Sequence, residues 1–163
     1  MTPTVRRLRE EDVRPLVEDL WLPFAREMEP IADRNALADD VDLVAAGVEH
    51  RRDRLDDDEA VTWVAVDDDG RLVGYVAASV ASSAPVFAAG DRLHVGELYV
   101  REPHRGEGVA GDLFDRVDAA AAARGCERVT LDVDVGNERA VAFYEKRGLS
   151  IARHRMVDRV DEA

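Results

Sequence analysis

Lysine is almost missing from this chain: among 22 basic residues only Lys146 is one, and 35 acidic residues outnumber them. The resulting net charge of −13 leaves no basic face on which to neutralise phosphates, so nucleic acid is not an expected partner. Cysteine is nearly absent too. Cys126, the one cysteine, has no partner for an internal disulfide or a metal pair, and reads as a small core residue just before a strand. No metal is expected: the acids at 56–59 carry no ligand spacing and read as a solvated loop. No apolar run approaches the length needed to cross a bilayer, so no membrane role is expected. The opening Met1-Thr2-Pro3-Thr4 lacks the apolar centre of a secretory signal, and a cytoplasmic location is the expectation. So acidic a surface suits concentrated salt, where charge repulsion is screened over a few ångströms, a halophilic reading. A GC-rich genome, favouring Arg, Ala, Asp and Gly, is the other source of such a composition.

What is present describes an ordinary globular domain. At 163 residues, 46% of them hydrophobic, the chain is long enough for one core and short for two, and 1–163 reads as a single domain. Residues 4–9 read as a first strand. Acids at 10–12 then mark a helix start, and Val13, Leu16, Val17, Leu20 and Trp21 recur at helical spacing. Pro23 and Pro30 interrupt the pattern and leave Trp21, Phe24 and Met28 near a bend. A second amphipathic helix is predicted over 37–55. Strands at 60–66 and 72–80 flank a hairpin turn in which Gly70 supplies a positive φ, and a further strand spans 93–100 after a loop at 82–91. A helix over 108–124, a strand over 127–135, a helix over 137–147 and a strand over 151–160 complete the order. Antiparallel hairpins thus feed a parallel strand–helix–strand unit, an α+β or mixed α/β sandwich around one mostly antiparallel sheet flanked by helices.

Residues 100–113 concentrate the chemistry. A strand ends, a polar turn with two close glycines follows, and a helix begins. That order aims backbone N–H groups and the positive helix end at one place, which is a site for an anion. Gly106, Gly108 and Gly111 remove the Cβ atoms that would hold a ligand away from the backbone.

The segment Arg105-Gly106-Glu107-Gly108-Val109-Ala110 fits the pattern R/Q-x-x-G-x-G/A. A helix and a strand later, Asn137-Glu138-Arg139-Ala140-Val141-Ala142-Phe143-Tyr144-Glu145-Lys146-Arg147-Gly148-Leu149 fits N-x-x-A-x-x-[FL]-Y-x-[KR]-x-G-[FL]. With both blocks in this order and separation, the chain resembles the GNAT superfamily of N-acetyltransferases. The resemblance implies that acetyl-CoA, or a related acyl-CoA, is the phosphate ligand and cosubstrate. Its pyrophosphate would lie on the backbone of Arg105, Gly106, Gly108, Val109, Ala110 and Gly111, with the Arg105 main chain mattering more than its side chain. Leu98 and Val100 would lend main-chain groups to the pantetheine arm, and Asn137, an N-cap by geometry, would also touch the cofactor. Some members of the family pair, so a homodimer is compatible with the resemblance.

Acyl transfer to an amine needs a neutral nucleophile, a polarised carbonyl and a protonated leaving thiolate. The resemblance gives Tyr144 as the acid to the sulfur and an N–H near Leu98 or Tyr99 as the polarising donor, provided that strand carries a bulge. Glu97 is the first candidate for the base, acting through a water or by attracting a cationic amine. His94 follows it, on the opposite face by strict alternation, and His104 reads as a solvated or capping residue. Trp21, Phe24, Met28 and the 82–91 loop are the expected acceptor side, although an aromatic cluster at a bend also suits a core. The leading expectation is therefore an N-acetyltransferase acting on a primary amine. A non-catalytic acyl-CoA-binding regulatory module and an unrelated phosphate-binding protein are the alternatives.

Overall fold

The computed structural model describes residues 2–160, and its contacts divide the chain into two compact units, one reaching Asp132 and one starting at Val133. The first holds a five-stranded sheet in the order β1-β2-β3-β4-β5, from β1 (Thr4–Arg7), β2 (Ala60–Val66), β3 (Leu72–Ala81), β4 (Arg92–Val100) and β5 (Arg128–Leu131). Neighbours pair antiparallel until β4 and β5, which pair parallel across the helix that joins them. The mixed, mostly antiparallel α+β sheet expected from the sequence is present.

Both faces of the sheet are covered, which is why β2 and most of β3 are buried without alternation. On one face, α1 (Val13–Leu16), a π-helical turn (Val17–Trp21), α2 (Leu22–Met28) and α3 (Leu43–Leu55) gather over the strands. Leu16, Val17, Leu20 and Val48 from the helices pack there with Val64, Tyr75, Ala77 and Tyr99 from the strands. On the other face lies α4 (Val109–Ala123), which buries Val109, Leu113, Phe114, Val117 and Ala121 at helical spacing. A Cβ built on Gly74 would stand 3.4 Å from the Leu113 side chain, so Gly74 and the residues sharing its side of β3 face α4.

Several sequence expectations are corrected. Pro23 does not break the first helix. The backbone widens into the π turn just before it and then continues as α2 to Met28, so the missing Pro23 N–H falls where the hydrogen-bond ladder is already offset. The second helix starts at Leu43, not at residue 37, because the Asp42 side chain accepts the Ala45 N–H at 3.0 Å and caps it there. The hairpin at Gly70 is as expected, with φ +83°.

In the second unit, α5 (Glu138–Lys146) begins at Asn137, whose Oδ1 accepts the Ala140 N–H at 3.3 Å. It ends at Gly148, φ +99°, where the Leu149 and Gly148 N–H groups reach the Tyr144 and Glu145 carbonyls. The strand expected over 127–135 pairs only over Arg128–Leu131, and Val135 is 90% exposed. Residues 151–160 carry no strand: Ile151, Met156, Val157 and Val160 are exposed, and their spacing breaks the two-residue period a half-buried strand needs.

Candidate functional site

The centre of β4 is irregular in a way that positions everything around it. Ala77 pairs with Glu97 but Ala78 pairs with Val95, which leaves Gly96 as an extra residue on β4. A bulge of this kind shifts the alternation by one. Glu97 and Tyr99 therefore lie with Tyr75 and Ala77 on the face of α1 and α3, and His94, opposite Ser79, comes to that same face. Strict alternation, which puts His94 and Glu97 on opposite faces, is thus overturned by the bulge.

Pairing between β4 and β5 runs from Arg92↔Arg128 to Val95↔Leu131 and stops there, while β4 continues to Val100. Beyond the bulge, the β5 side of β4 has no strand pairing among the described residues, and Leu98, Tyr99 and Val100 lie on this stretch. An extended ligand can add to such an edge through main-chain hydrogen bonds.

The strand then runs into the glycine turn. Gly106 (φ +80°) and Gly108 (φ +86°) are both left-handed, and a Cβ at either would meet nothing within 4 Å. These glycines are required by backbone conformation, and the space beside them is open to a ligand. Gly108 is the N-cap of α4 with no side chain to satisfy the first turn, so Val109, Ala110 and Gly111 open the helix with its positive end toward that space.

The Arg105 side chain does not join this cradle. Nε donates to the Val100 carbonyl at 2.8 Å, Nη2 donates to both oxygens of Glu27 at 3.1 Å, and the guanidinium lies over the Tyr99 ring at 5.4 Å. The side chain thereby ties the turn to β4 and α2. Tyr99 packs its ring on Phe24 at 5.4 Å, and burial, with a hydrogen bond to Glu27, pushes its phenol up to about 12. Phe24 is consequently held among core side chains, while the Met28 carbonyl accepts from Asn35 Nδ2 at 3.0 Å.

Glu97 is held tightly. Arg51, 2% exposed on α3, donates to Oε1 at 2.5 Å, and the Tyr75 hydroxyl, fully buried, donates to Oε2 at 2.7 Å. Arg51 also lies over the Tyr75 ring at 5.4 Å. A guanidinium this deep needs a partner of opposite charge, and Glu97 supplies it. Burial first, and the Glu97 charge second, push the Tyr75 phenol well above its ordinary range.

Beside Glu97 opens a cavity of about 220 Å³ lined by Trp21, Ala46, Gly47, His50, Arg51 and Glu97. Gly47 sets its shape, since a Cβ there would meet Val17 Cγ1 at 2.8 Å. Trp21 and Glu97, both expected on the acceptor side, meet here. His50, Arg51 and Tyr75 escape sequence reasoning, because no local motif marks them. The His50 imidazole is held below its ordinary pKa, by burial first and then by the charges of Arg51 and Arg54.

His94 is placed otherwise: Nδ1 is 2.9 Å from Thr130 Oγ1, and Nε2 is 3.9 Å from Asp132. His104, expected as a solvated or capping residue, is partly buried, and its Nδ1 has no hydrogen-bond partner among the described residues. In the second unit, Asn137 caps α5 as expected, and the Tyr144 phenol, pushed up to about 12 by burial, stands edge-on to Phe143 at 5.4 Å. No cluster of metal-binding side chains and no helix long and apolar enough to cross a membrane occurs among the described residues.

Comparison with known proteins gives the arrangement its context. A sequence model of the Acetyltransferase (GNAT) family matches residues 16–149. Over 84 residues the chain is 33% identical to N-alpha-acetyltransferase MAK3 of Arabidopsis thaliana, covering 52% of this chain and 42% of that protein. The chain thus spans about half the length of the curated relatives it matches. Among solved structures, a tetramutant of the BH1408 protein from Bacillus halodurans has a TM-score of 0.84 at 16% identity, covering 96% of this chain and 99% of that one. A predicted acetyltransferase from Clostridium acetobutylicum, solved with acetyl-CoA, has a TM-score of 0.71 at 18% identity, covering 96% and 95%. At these identities the two structures speak for the fold.

Proposed function

The chain belongs to the Acetyltransferase (GNAT) family, and from that premise we propose that it moves an acetyl group from acetyl-CoA to a primary amine by direct attack on the thioester. One observation carries the reading: β4 parts from β5 at Val95, runs on past a bulge paired only with β3 among the described residues, and delivers the chain into a left-handed glycine turn at the head of α4. An unpaired strand edge followed at once by an anion cradle suits a ligand with an extended amide-bearing arm and a pyrophosphate.

In this reading Arg105, Gly106, Gly108, Val109, Ala110 and Gly111 receive the pyrophosphate through the main chain, without a basic surface. Leu98 and Val100 pair with the pantetheine arm, and an N–H near Leu98 or Tyr99, beside the bulge, polarises the thioester carbonyl. Tyr144 protonates the departing sulfur and Asn137 contributes to cofactor binding; both roles rest on the resemblance of the block around them. A phenol with a pKa of about 12 is fully protonated at neutral pH, as an acid must be. The reading treats the chain as one catalytic domain, because the family match at 16–149 runs through both units.

Glu97 has a narrower part than a free base would. With both oxygens engaged by Arg51 and Tyr75, it serves as a fixed anion that draws a cationic amine toward Trp21 and the cavity. The test is release of free thiol from acetyl-CoA with spermidine, L-lysine amide, kanamycin and short peptides with free N-termini. Turnover with any of these supports the reading; acetyl-CoA binding without turnover across the panel favours a regulatory module.

A further inference from the structure

The cavity beside Glu97 contains one titratable group that the roles above leave unused. His50 lies on α3 next to Arg51 and lines the same space as Glu97 and Trp21. Its side chain reaches solvent, whereas Glu97 is pinned by hydrogen bonds of 2.5 and 2.7 Å. A base must be able to accept a proton, and a carboxylate already accepting from a guanidinium and a phenol is poorly placed to do so. We propose that His50 is the proton acceptor for the incoming amine, and that the cavity admits the amine end of the acceptor. This inference rests on the acyl-transfer reading given above.

The surroundings favour that role. On its own helix, His50 faces Arg51 and Arg54, which oppose the imidazolium, and Asp53, which favours it. From β4 it faces Glu97, which also favours it. Burial is the largest influence, and with the two arginines it lowers the pKa of the ring and so favours its neutral form. A neutral imidazole is the form that can take a proton from an amine entering the cavity.

Size and lining define the acceptor further. A volume of about 220 Å³ falls below the span of about 300–1,000 Å³ usual for whole small ligands, so only the amine-bearing end enters. Trp21, Ala46 and Gly47 make the remaining wall apolar, which fits a primary amine with apolar neighbouring atoms.

The step balances without an added reactant. The ammonium gives one proton to a neutral ring nitrogen of His50, and the freed lone pair forms the new C–N bond at the thioester carbon. The C–S bond then breaks, the thiolate takes the second amine proton, directly or through a neighbouring acid, and His50 returns the first to solvent.

The experiment compares wild type with His50→Gln and His50→Ala, using the fastest amine of the panel named above and free-thiol release between pH 5 and 9. Acetyl-CoA affinity is measured in parallel by calorimetry. The expected result is a loss of about 100-fold in kcat, with acceptor KM and acetyl-CoA affinity little changed. In wild type, kcat/KM rises with pH through a midpoint below 6.5, and that limb disappears in the variants. Variants that keep the wild-type rate and pH profile overturn the proposal. A wild type that turns over no amine of the panel, whether or not it binds acetyl-CoA, overturns the acyl-transfer reading and the base with it. Unaltered variants of an active wild type overturn the base alone, which distinguishes the two failures.

Discussion

Glu27 on α2 holds Arg105 of the glycine turn with both carboxylate oxygens, each 3.1 Å from Nη2. The pair spans 78 residues of sequence and joins the helices over one sheet face to the turn that heads α4. The Arg105 side chain is thereby spent on fixing the turn, and an anion at the head of α4 would be met by backbone.

Glu27→Ala should loosen that turn without touching a ligand. The pair is partly exposed, so the expected loss of stability is modest, about 1 kcal/mol. Arg105→Lys should cost at least as much, because an ammonium cannot bridge the Val100 carbonyl and both Glu27 oxygens. Thermal unfolding of the two variants checks the order.

The Arg51–Glu97 pair should behave differently. Glu97→Ala leaves a nearly fully buried guanidinium without its partner and should destabilise by about 3–5 kcal/mol. Glu97→Gln keeps an acceptor and should cost less. Replacing both residues by Met should recover much of the loss, since no charge is then stranded. Denaturant unfolding of the three variants gives the comparison.

All three tyrosines have phenols raised above the ordinary value, Tyr99 and Tyr144 to about 12 and Tyr75 by burial well above its usual range. Phenolate absorbance should therefore stay low at pH 10 while the chain is folded. The sign for stability follows from linkage: an unfolded tyrosine loses its proton near pH 10, so the folded state binds more protons above that pH. Their contribution is complete below about pH 10 and is lost as pH rises toward 12. Ultraviolet titration beside circular dichroism should show phenolate appearing together with unfolding. Ionisation of a folded chain at pH 10 would contradict this.

The acidic surface carries a prediction about salt. With a net charge of −13, raising potassium chloride from 0.1 to about 1 M, where the screening length falls to about 3 Å, should raise the midpoint of thermal unfolding. A midpoint that falls steadily with salt would remove the high-salt reading.

These relationships differ in how far the sequence discloses them. The left-handed glycines at 70, 106 and 108 and the Asn137 cap are legible because a single residue's conformational freedom or side-chain reach decides each. The end of α4 is legible likewise, with Gly125 at φ +71°. The bulge at Gly96 is not: Val95-Gly96-Glu97 reads as ordinary alternation until the register with β3 is known. Nor is the partnership of Arg51 with Glu97, 46 residues apart, or the place of His50 beside it. Those depend on how closely α3 approaches the sheet, which Gly47 permits against Val17. The expected strand over 151–160 failed for the opposite reason, because its few apolar residues do not keep one period.

The claim that backbone at the head of α4 receives the pyrophosphate of acetyl-CoA is tested most directly by calorimetric titration of acetyl-CoA into wild type and Gly108→Ala. An added Cβ meets no protein atom within 4 Å, so the fold should lose only the cost of a left-handed alanine, about 1–2 kcal/mol. The cradle, in contrast, should be blocked. Saturable binding to wild type, weakened about tenfold or more in a Gly108→Ala protein that remains folded, is the predicted result. Equal affinity in the two proteins, or no binding to wild type, would contradict the account.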